Sequence, residues 1–356
     1  MKVLGISPYP LAGPSPRYRL YNFREKLKEE GIDLDIKSFL TSQAFELRMN
    51  GSKIHPLAML RVIIAIIERI HQARTANRRY DLIYIHRQTA PFKHRNFDNL
   101  FLRSGVPLIF DMDDAVYTSY PIDHLLRACA AVTVGNQYLA TYVKQIAPQV
   151  PVTIIPTTVD TEQYTVRPKR KDGDPLVVGW IGTASTFHRY LLPVLPGLIQ
   201  TTKAGGAEFR VIASSDVRHK VEELGGHFIQ WDLATEVSEL QEFDIGLMPL
   251  HDDNYVRGKC AFKLIQYGAI GIPSIGTDIG ANKEVIVNGI SGFLTSTVQE
   301  MQHRLTELIE TEHIRRTMGQ AARKIIEEKF SLRSQIPVME QVFKDALNLQ
   351  KIHKSQ

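Results

Sequence analysis

Asp244-Ile245-Gly246-Leu247-Met248-Pro249-Leu250 is the stretch on which the reading of this chain turns. It is a short apolar run with the length and composition of a buried strand. A polar loop follows, His251-Asp252-Asp253-Asn254-Tyr255-Val256-Arg257-Gly258, and residues 259–270 then read as a helix. On that helix Lys259, Lys263, Gln266 and Tyr267 fall at i, i+4, i+7 and i+8 and share one face. Ala261, Leu264, Ile265, Gly268 and Ala269 are left to pack on a sheet. A strand, a glycine-containing loop and a helix start bring backbone N–H groups and a positive dipole end to the carboxyl edge of a sheet, which suits a diphosphate. Gly258, Lys259, Cys260 and Ala261 line that start, Lys259 and Lys263 add charge, and Gln266 is placed to reach ribose hydroxyls. The alternative is that both lysines are ordinary solvated helix residues.

The same alternation extends in both directions. Upstream, strands are expected at residues 2–7, 33–39, 82–86, 107–111, 131–134 and 152–155, with helical segments such as 17–30 and 56–77 between them. The polar, Pro- and Gly-containing run 167–175 reads as a linker. Strands then restart at 176–181, 209–213, 227–231, 244–249 and 273–276, and helices are expected over 298–310, 312–329 and 337–349. The expectation is an α/β chain of two Rossmann-like, doubly wound parallel-sheet domains facing a cleft, with ligands beyond the carboxyl ends of the strands. The boundaries expected are 1–168 for the first domain, 174–335 for the second, and 336–356 for a helix crossing back to the first.

Composition narrows the class. The chain has 356 residues, 44% hydrophobic and 23% charged, as a globular protein does. No apolar run reaches the ~20 residues that span a bilayer; the nearest, residues 57–67, is interrupted by Arg61. The first residues read as a strand rather than a signal peptide. Two cysteines far apart, Cys129 and Cys260, argue against a disulfide scaffold or a zinc site and fit a reducing cytoplasm. Residues 1–170 hold 23 Lys and Arg against 15 Asp and Glu, while residues 171–356 hold the remaining 20 against 23. The basic first half suggests an anionic partner, either a diphosphate-linked acceptor or an acidic membrane surface such as the inner face of the plasma membrane. An ordinary solvated basic face is the equally simple reading. No dense basic tract with interleaved aromatics points to nucleic acid.

Residues 271–286, from Gly271-Ile272-Pro273 to Glu284-Val285-Ile286, and then Asn288-Gly289-Ile290-Ser291-Gly292-Phe293-Leu294, keep a recognisable order. This segment resembles the donor-binding half of retaining glycosyltransferases with the GT-B fold, the glycosyl transferases group 1 or family 4 type. The resemblance extends upstream through Ile154-Ile155-Pro156-Thr157-Thr158-Val159-Asp160 and Val178-Gly179-Trp180-Ile181-Gly182-Thr183, and downstream to residues 315–323. It implies transfer of a sugar from a nucleotide-sugar to a sugar, polysaccharide or lipid-linked acceptor with retention, with no metal and no other cofactor. Gly182 and Thr183 would then belong to the donor site. The chain departs from the family in several places. Gly258 and Gln266 stand at the spacing of the family's two glutamates, Thr157-Thr158 replaces its Asn-Gly, and its Arg/Lys pair after the first strand of the second domain is missing.

In the first half, Gly13-Pro14-Ser15-Pro16-Arg17-Tyr18-Arg19 occupies the place of the family's flexible loop. Ser15, Arg17 and Arg19 are the expected acceptor or phosphate contacts there, with exposed arginines as the plain alternative. Arg87, after Tyr84-Ile85-His86, is an expected anion contact, and His86 reads as a packed histidine. Phe110-Asp111-Met112-Asp113-Asp114 stands where many relatives carry a histidine. Asp111 or Asp113 is expected as a polar partner in the reaction, with Arg87 and Lys263 completing the catalytic set. A metal reading of Asp-x-Asp and a structural cluster are the alternatives. Among functions, a catalytically silent glycan-binding or scaffolding protein and a nucleotide-sugar epimerase are the rivals. A dinucleotide oxidoreductase is weaker, because no first turn reads Gly-x-Gly-x-x-Gly.

Overall fold

Parallel strands buried on both faces are near-continuous apolar runs, and Leu82-Ile83-Tyr84-Ile85 and Leu108-Ile109-Phe110 are such runs with no exposed residue. A computed structural model describes residues 1–49, 56–92, 96–169 and 173–354. In it the chain divides into two units, Met1–Thr158 with Leu332–Gln356, and Val159–Ser331. The division falls some ten residues before the polar run read as a linker. Arg167 of that run belongs to the second unit, its N–H donating to the Ile270 carbonyl and its guanidinium pairing with Asp244 at 2.5 Å. Residues 170–172 of the run lie outside the described residues.

The first unit holds β1 (Lys2–Ser7), β2 (Asp33–Ser38), β3 (Leu82–His86), β4 (Leu108–Met112), β5 (Ala131–Val134) and β6 (Val152–Ile154). They form one parallel sheet in the order β2-β1-β3-β4-β5-β6. The order reverses between β1 and β3, so the crevice at which such sheets bind ligands opens beyond the carboxyl ends of those two strands. Behind the sheet lies the last helix, Leu332–Lys354, which starts five residues earlier than its sequence suggests and carries Pro337 inside it. Its Ile336, Met339, Val342, Phe343 and Ala346 are buried with Val3, Leu20, Phe23 and Tyr84, so packing on both sides of the proline overrides its helix-breaking tendency. The Phe343 ring meets Tyr84 edge to face at 5.5 Å.

The second unit holds β7 (Val177–Ile181), β8 (Glu208–Ala213), β9 (His227–Gln230), β10 (Ile245–Met248), β11 (Ser274–Thr277) and β12 (Gly292–Thr295). Their order is β12-β11-β10-β7-β8-β9, again parallel, with the reversal between β7 and β10. Alternation along β7 sends Val178 and Trp180 to one core and Val177 and Ile181 to the other, each face covered by helices. The sixth strand, β12, is the one the sequence pattern misses. It is four residues long and opens on Gly292, where an added Cβ would stand 2.3 Å from the Ser274 carbonyl oxygen. The glycine that permits this close approach is also what makes the segment read as a turn. Both sheets are doubly wound, as expected.

Candidate functional site

In the first unit the residues singled out from sequence converge on the carboxyl ends of β1, β3 and β4. Asp111 is in β4 and fully buried. Its Oδ1 accepts a hydrogen bond from Thr133 Oγ1 (2.6 Å) and from Arg19 Nη2, while its Oδ2 accepts from Arg19 Nε (3.1 Å) and lies 2.7 Å from His86 Nδ1. Burial alone would push this carboxyl up. The Arg19 charge together with hydrogen bonds from His86 and Arg19 outweighs burial and holds it well below the usual carboxylate range. All the acceptor capacity of Asp111 is thus engaged by the protein. Expected as a polar partner in the reaction, Asp111 in this structure bonds Arg19, His86 and Thr133.

Arg19, expected as an acceptor or phosphate contact, is engaged in the same way. It is fully buried, bidentate on Asp111, and donates through Nη1 to the Ile155 carbonyl, so it presents no surface to a phosphate. Arg17 is also buried, with its guanidinium over the Tyr18 ring at 4.9 Å. The helix expected over 17–30 opens instead on one wide turn, Arg17–Tyr21, in which the N–H of Asn22 reaches back to the Arg17 carbonyl and both arginines are buried, and the regular helix is Asn22–Glu29.

Asp113 follows on the outer side of the cluster. Its Oδ1 accepts from Arg87 Nε and its Oδ2 from Ser15 Oγ, both at 2.5 Å. Burial opposes its ionisation, but Arg87 and then His86 prevail, so its carboxyl too is held low. Ser15 Oγ also lies 2.7 Å from His86 Nε2, which links Asp113, Ser15, His86 and Asp111 in one chain of hydrogen bonds. His86, read from sequence as a packed histidine, is indeed fully buried and is also the centre of this chain. Arg87 pairs with Asp114 as well. Its backbone is left-handed, φ 63°, a conformation that costs a non-glycine residue ~1–3 kcal/mol and is characteristic of functional sites. Arg87, Asp114 and Ser15 are the members with solvent-exposed surface. Among the described residues no set of three or more His, Cys, Asp or Glu side chains is gathered as a metal site.

In the second unit the corresponding edge lies beyond β7 and β10. Gly182 ends β7 in a turn, and a Cβ there would sit 2.4 Å from the Trp180 ring. Thr183 caps the next helical turn by accepting from the Thr186 N–H. Lys263 places its ammonium over the same Trp180 ring, 5.1 Å from the centroid, so Gly182 and Lys263 meet on one indole. After β10, Asp253 caps the short helix Asn254–Arg257 through the Val256 N–H (2.7 Å) and pairs with Arg189 at 2.7 Å. Lys259 stands over the rings of Tyr255 (5.0 Å) and Tyr190 (5.9 Å).

The helix expected from residue 259 begins later, as Phe262–Ala269. Gly258, Lys259 and Cys260 belong to the connection before it, and Ala261 is its cap in the left-handed conformation, φ 52°. Lys259 therefore does not share a helix face with Lys263. Gln266 and Tyr267 are buried rather than displayed. Tyr267 donates to the Leu247 carbonyl and accepts from the Ile181 N–H. Gln266 Nε2 donates to Tyr164 Oη (3.1 Å) and Glu236 Oε1 (3.2 Å). Glu236 also accepts from Tyr164 Oη (2.6 Å) and Trp231 Nε1 (2.7 Å). Sequence reading missed Glu236 and Arg189, because their partners lie 30 and 64 positions away. A cavity of ≈ 180 Å³ opens beside this edge, lined by Arg189, Tyr190, Leu250, His251, Thr277 and Thr297 among others. A larger one of ≈ 430 Å³ lies at the amino ends of β4 and β5, the edge at which parallel sheets do not bind their ligands.

Residues 175–311, within the second unit, match the family model for glycosyl transferases group 1. N-acetyl-alpha-D-glucosaminyl L-malate synthase of Bacillus anthracis is 30% identical over 86 residues, which is 24% of this chain and 23% of that protein. The matched stretch thus spans about a quarter of that relative. Among solved structures, a glycosyltransferase from Rickettsia africae ESF-5 aligns over 97% of this chain and 98% of its own, with TM-score 0.72 and 13% identity. Anabaena Alr3699/HepE in complex with UDP-glucose aligns over 97% and 99%, with TM-score 0.67 and 15% identity. The apo lipopolysaccharide outer core galactosyltransferase WaaB aligns over 99% and 100%, with TM-score 0.65 and 13% identity. The chain has the fold of GT-B glycosyltransferases, and its second unit carries their glycosyl transferases group 1 region.

Proposed function

We infer that this chain is a glycosyltransferase that moves a sugar from a nucleoside-diphosphate sugar to an acceptor hydroxyl with the anomeric configuration retained. One observation carries the reading: the matched region falls on the sheet whose switch point gathers Gly182, Trp180 and Lys263. A diphosphate leaving group gains charge as the glycosidic bond breaks. Cations fixed beside it therefore act more strongly on the transition state than on the bound donor. Lys263 and Lys259, each held over an aromatic ring, and Arg189 at the cavity are such cations. Gly182 lets the Trp180 ring that carries Lys263 lie against the turn after β7. The binding of UDP-glucose by the Anabaena structure supports a nucleotide-sugar as donor. Retention rests on the family resemblance. The first unit is assigned the acceptor, through Ser15, Arg87 and Asp114 at the open side of the carboxylate cluster.

Removing Lys263 tests the reading. Lys263→Ala should lower turnover about a hundredfold, as loss of one preorganised charge donor does. It should lower stability by no more than ~1 kcal/mol, the worth of one cation–π contact. Unchanged turnover with an unchanged melting temperature removes Lys263 from the site. A second reading, a nucleotide-sugar-binding protein without turnover, is favoured by Gly258, which stands where the resembled family has its first acid. Thermal stabilisation by nucleoside diphosphates with no transfer to any acceptor would select it.

A further inference from the structure

The helix Pro56–Arg79 leads into β3 and is anchored near its middle. Arg69, buried, donates to the carbonyls of Ser7 (3.1 Å) and Lys37 (3.2 Å) and to Gln72 Oε1 (2.8 Å). Residue 69 is thereby fixed at the carboxyl ends of β1 and β2. The helix runs back toward the start of β3, so the residues before Arg69 overhang that edge. At 1.5 Å per residue, Leu60 stands about 13 Å beyond it.

On this overhang Leu60, Ile63, Ile64 and Ile67 are 54%, 48%, 47% and 61% exposed. Spacings of three, four and seven put all four on one helix face. His71, Arg74 and Arg78, also exposed, continue the same face toward the other end. Arg61 flanks it, bonded to Gln43 Oε1 at 2.6 Å, and Glu68 is the helix's single acid. A soluble helix turns such a stripe inward; this one faces water. Four side chains so exposed make a patch on the order of a few hundred Å², the size of the largest and often functional apolar patch on a monomer. It is too small for a stable pairing with a second copy, which needs ~800 Å² from each partner. Aliphatics followed by arginines on one face match the two layers of an anionic lipid surface. No helix among the described residues is long and apolar enough to cross a membrane.

We propose that this face docks the chain on an anionic bilayer. Leu60, Ile63, Ile64 and Ile67 enter the headgroup boundary, and Arg61, Arg74 and Arg78 meet lipid phosphates. The overhang leaves from the sheet edge that carries Ser15 and Asp113, so docking there presents a lipid-linked acceptor to the first unit. That last step rests on the transferase reading; the docking does not.

Co-sedimentation of the full chain with vesicles tests it. Wild type should bind an equal mixture of phosphatidylcholine and phosphatidylglycerol and not phosphatidylcholine alone. Ile63→Ser/Ile67→Ser should weaken that binding at least tenfold, and Arg74→Gln/Arg78→Gln about thirty-fold at low salt. Both pairs are exposed, so melting temperatures should match wild type. Equal binding to both vesicle types, binding to neither, or variants that bind like wild type would overturn the proposal. So would a dimer that Ile63→Ser/Ile67→Ser dissolves without changing vesicle binding. Stabilisation by uridine or guanosine diphosphate, measured on the same samples, reports on the transferase reading separately, and its loss there leaves the docking result standing.

Discussion

Each unit opens with the same backbone phrase, and the two put it to different use. After β1 come one helical turn, Pro14–Pro16, and one wide turn, Arg17–Tyr21; after β7 come Ala184–Thr186 and Phe187–Leu191. In both, the third residue of the wide turn is an arginine paired with an aspartate. Arg19 and Asp111 have no exposed side-chain surface, whereas the Arg189 and Asp253 side chains are 51% and 25% exposed. The geometry recurs without any repeat in sequence, and burial decides what it does. Where the pair is buried it consumes its own charge and fixes the cluster around His86. Where it is open, Arg189 lines a cavity and its charge can still act on an anion.

The largest effect should come from breaking the buried pair. Arg19→Met leaves Asp111 charged and buried with too few partners, which costs roughly 3–5 kcal/mol. Arg19→Met/Asp111→Leu should recover much of that, since an apolar replacement of a buried pair is often neutral. Chemical denaturation measures both, and a near-silent Arg19→Met would end the distinction drawn here.

Acid gives an intermediate contrast. Asp111 and Asp113 ionise more readily folded than unfolded, so the stability they add is full above the unfolded value of 3.8 and is lost as pH falls below it. Amide exchange between about pH 5 and pH 2 should therefore show protection failing in β3–β5 before β10–β12. The opposite order would place the acid-sensitive charges in the second unit. Arg189→Met should have the smallest effect, under ~1 kcal/mol, as for other solvent-screened pairs. A loss as large as that of Arg19→Met would show that exposure does not separate the two.

The wound sheets were legible because buried parallel strands leave unbroken apolar runs, and the sheet edges that carry the candidate sites lie where strand order reverses. Individual side chains were legible only where local pattern governs them. Arg19 reads as a phosphate contact or an exposed residue because an arginine beside a helix start usually faces outward, and its partner lies 92 positions on. The start of Phe262–Ala269 was misplaced because alanine is the strongest helix former, and nothing local marks Ala261 as left-handed. Lys263 and Gly182 stood out in the sequence one by one, but the Trp180 ring on which they meet depends on strand β7 lying beside β10.

The helix Leu332–Lys354 sets an order of events during synthesis. The first unit's core is completed by Ile336, Met339, Val342, Phe343 and Ala346, side chains made only after the whole second unit. Residues 159–331 emerge whole before then. At ribosomal rates of ~5–20 residues per second, the N-terminal sheet waits roughly ten to forty seconds for its final layer. The half of the chain translated second is therefore the half that can finish folding first.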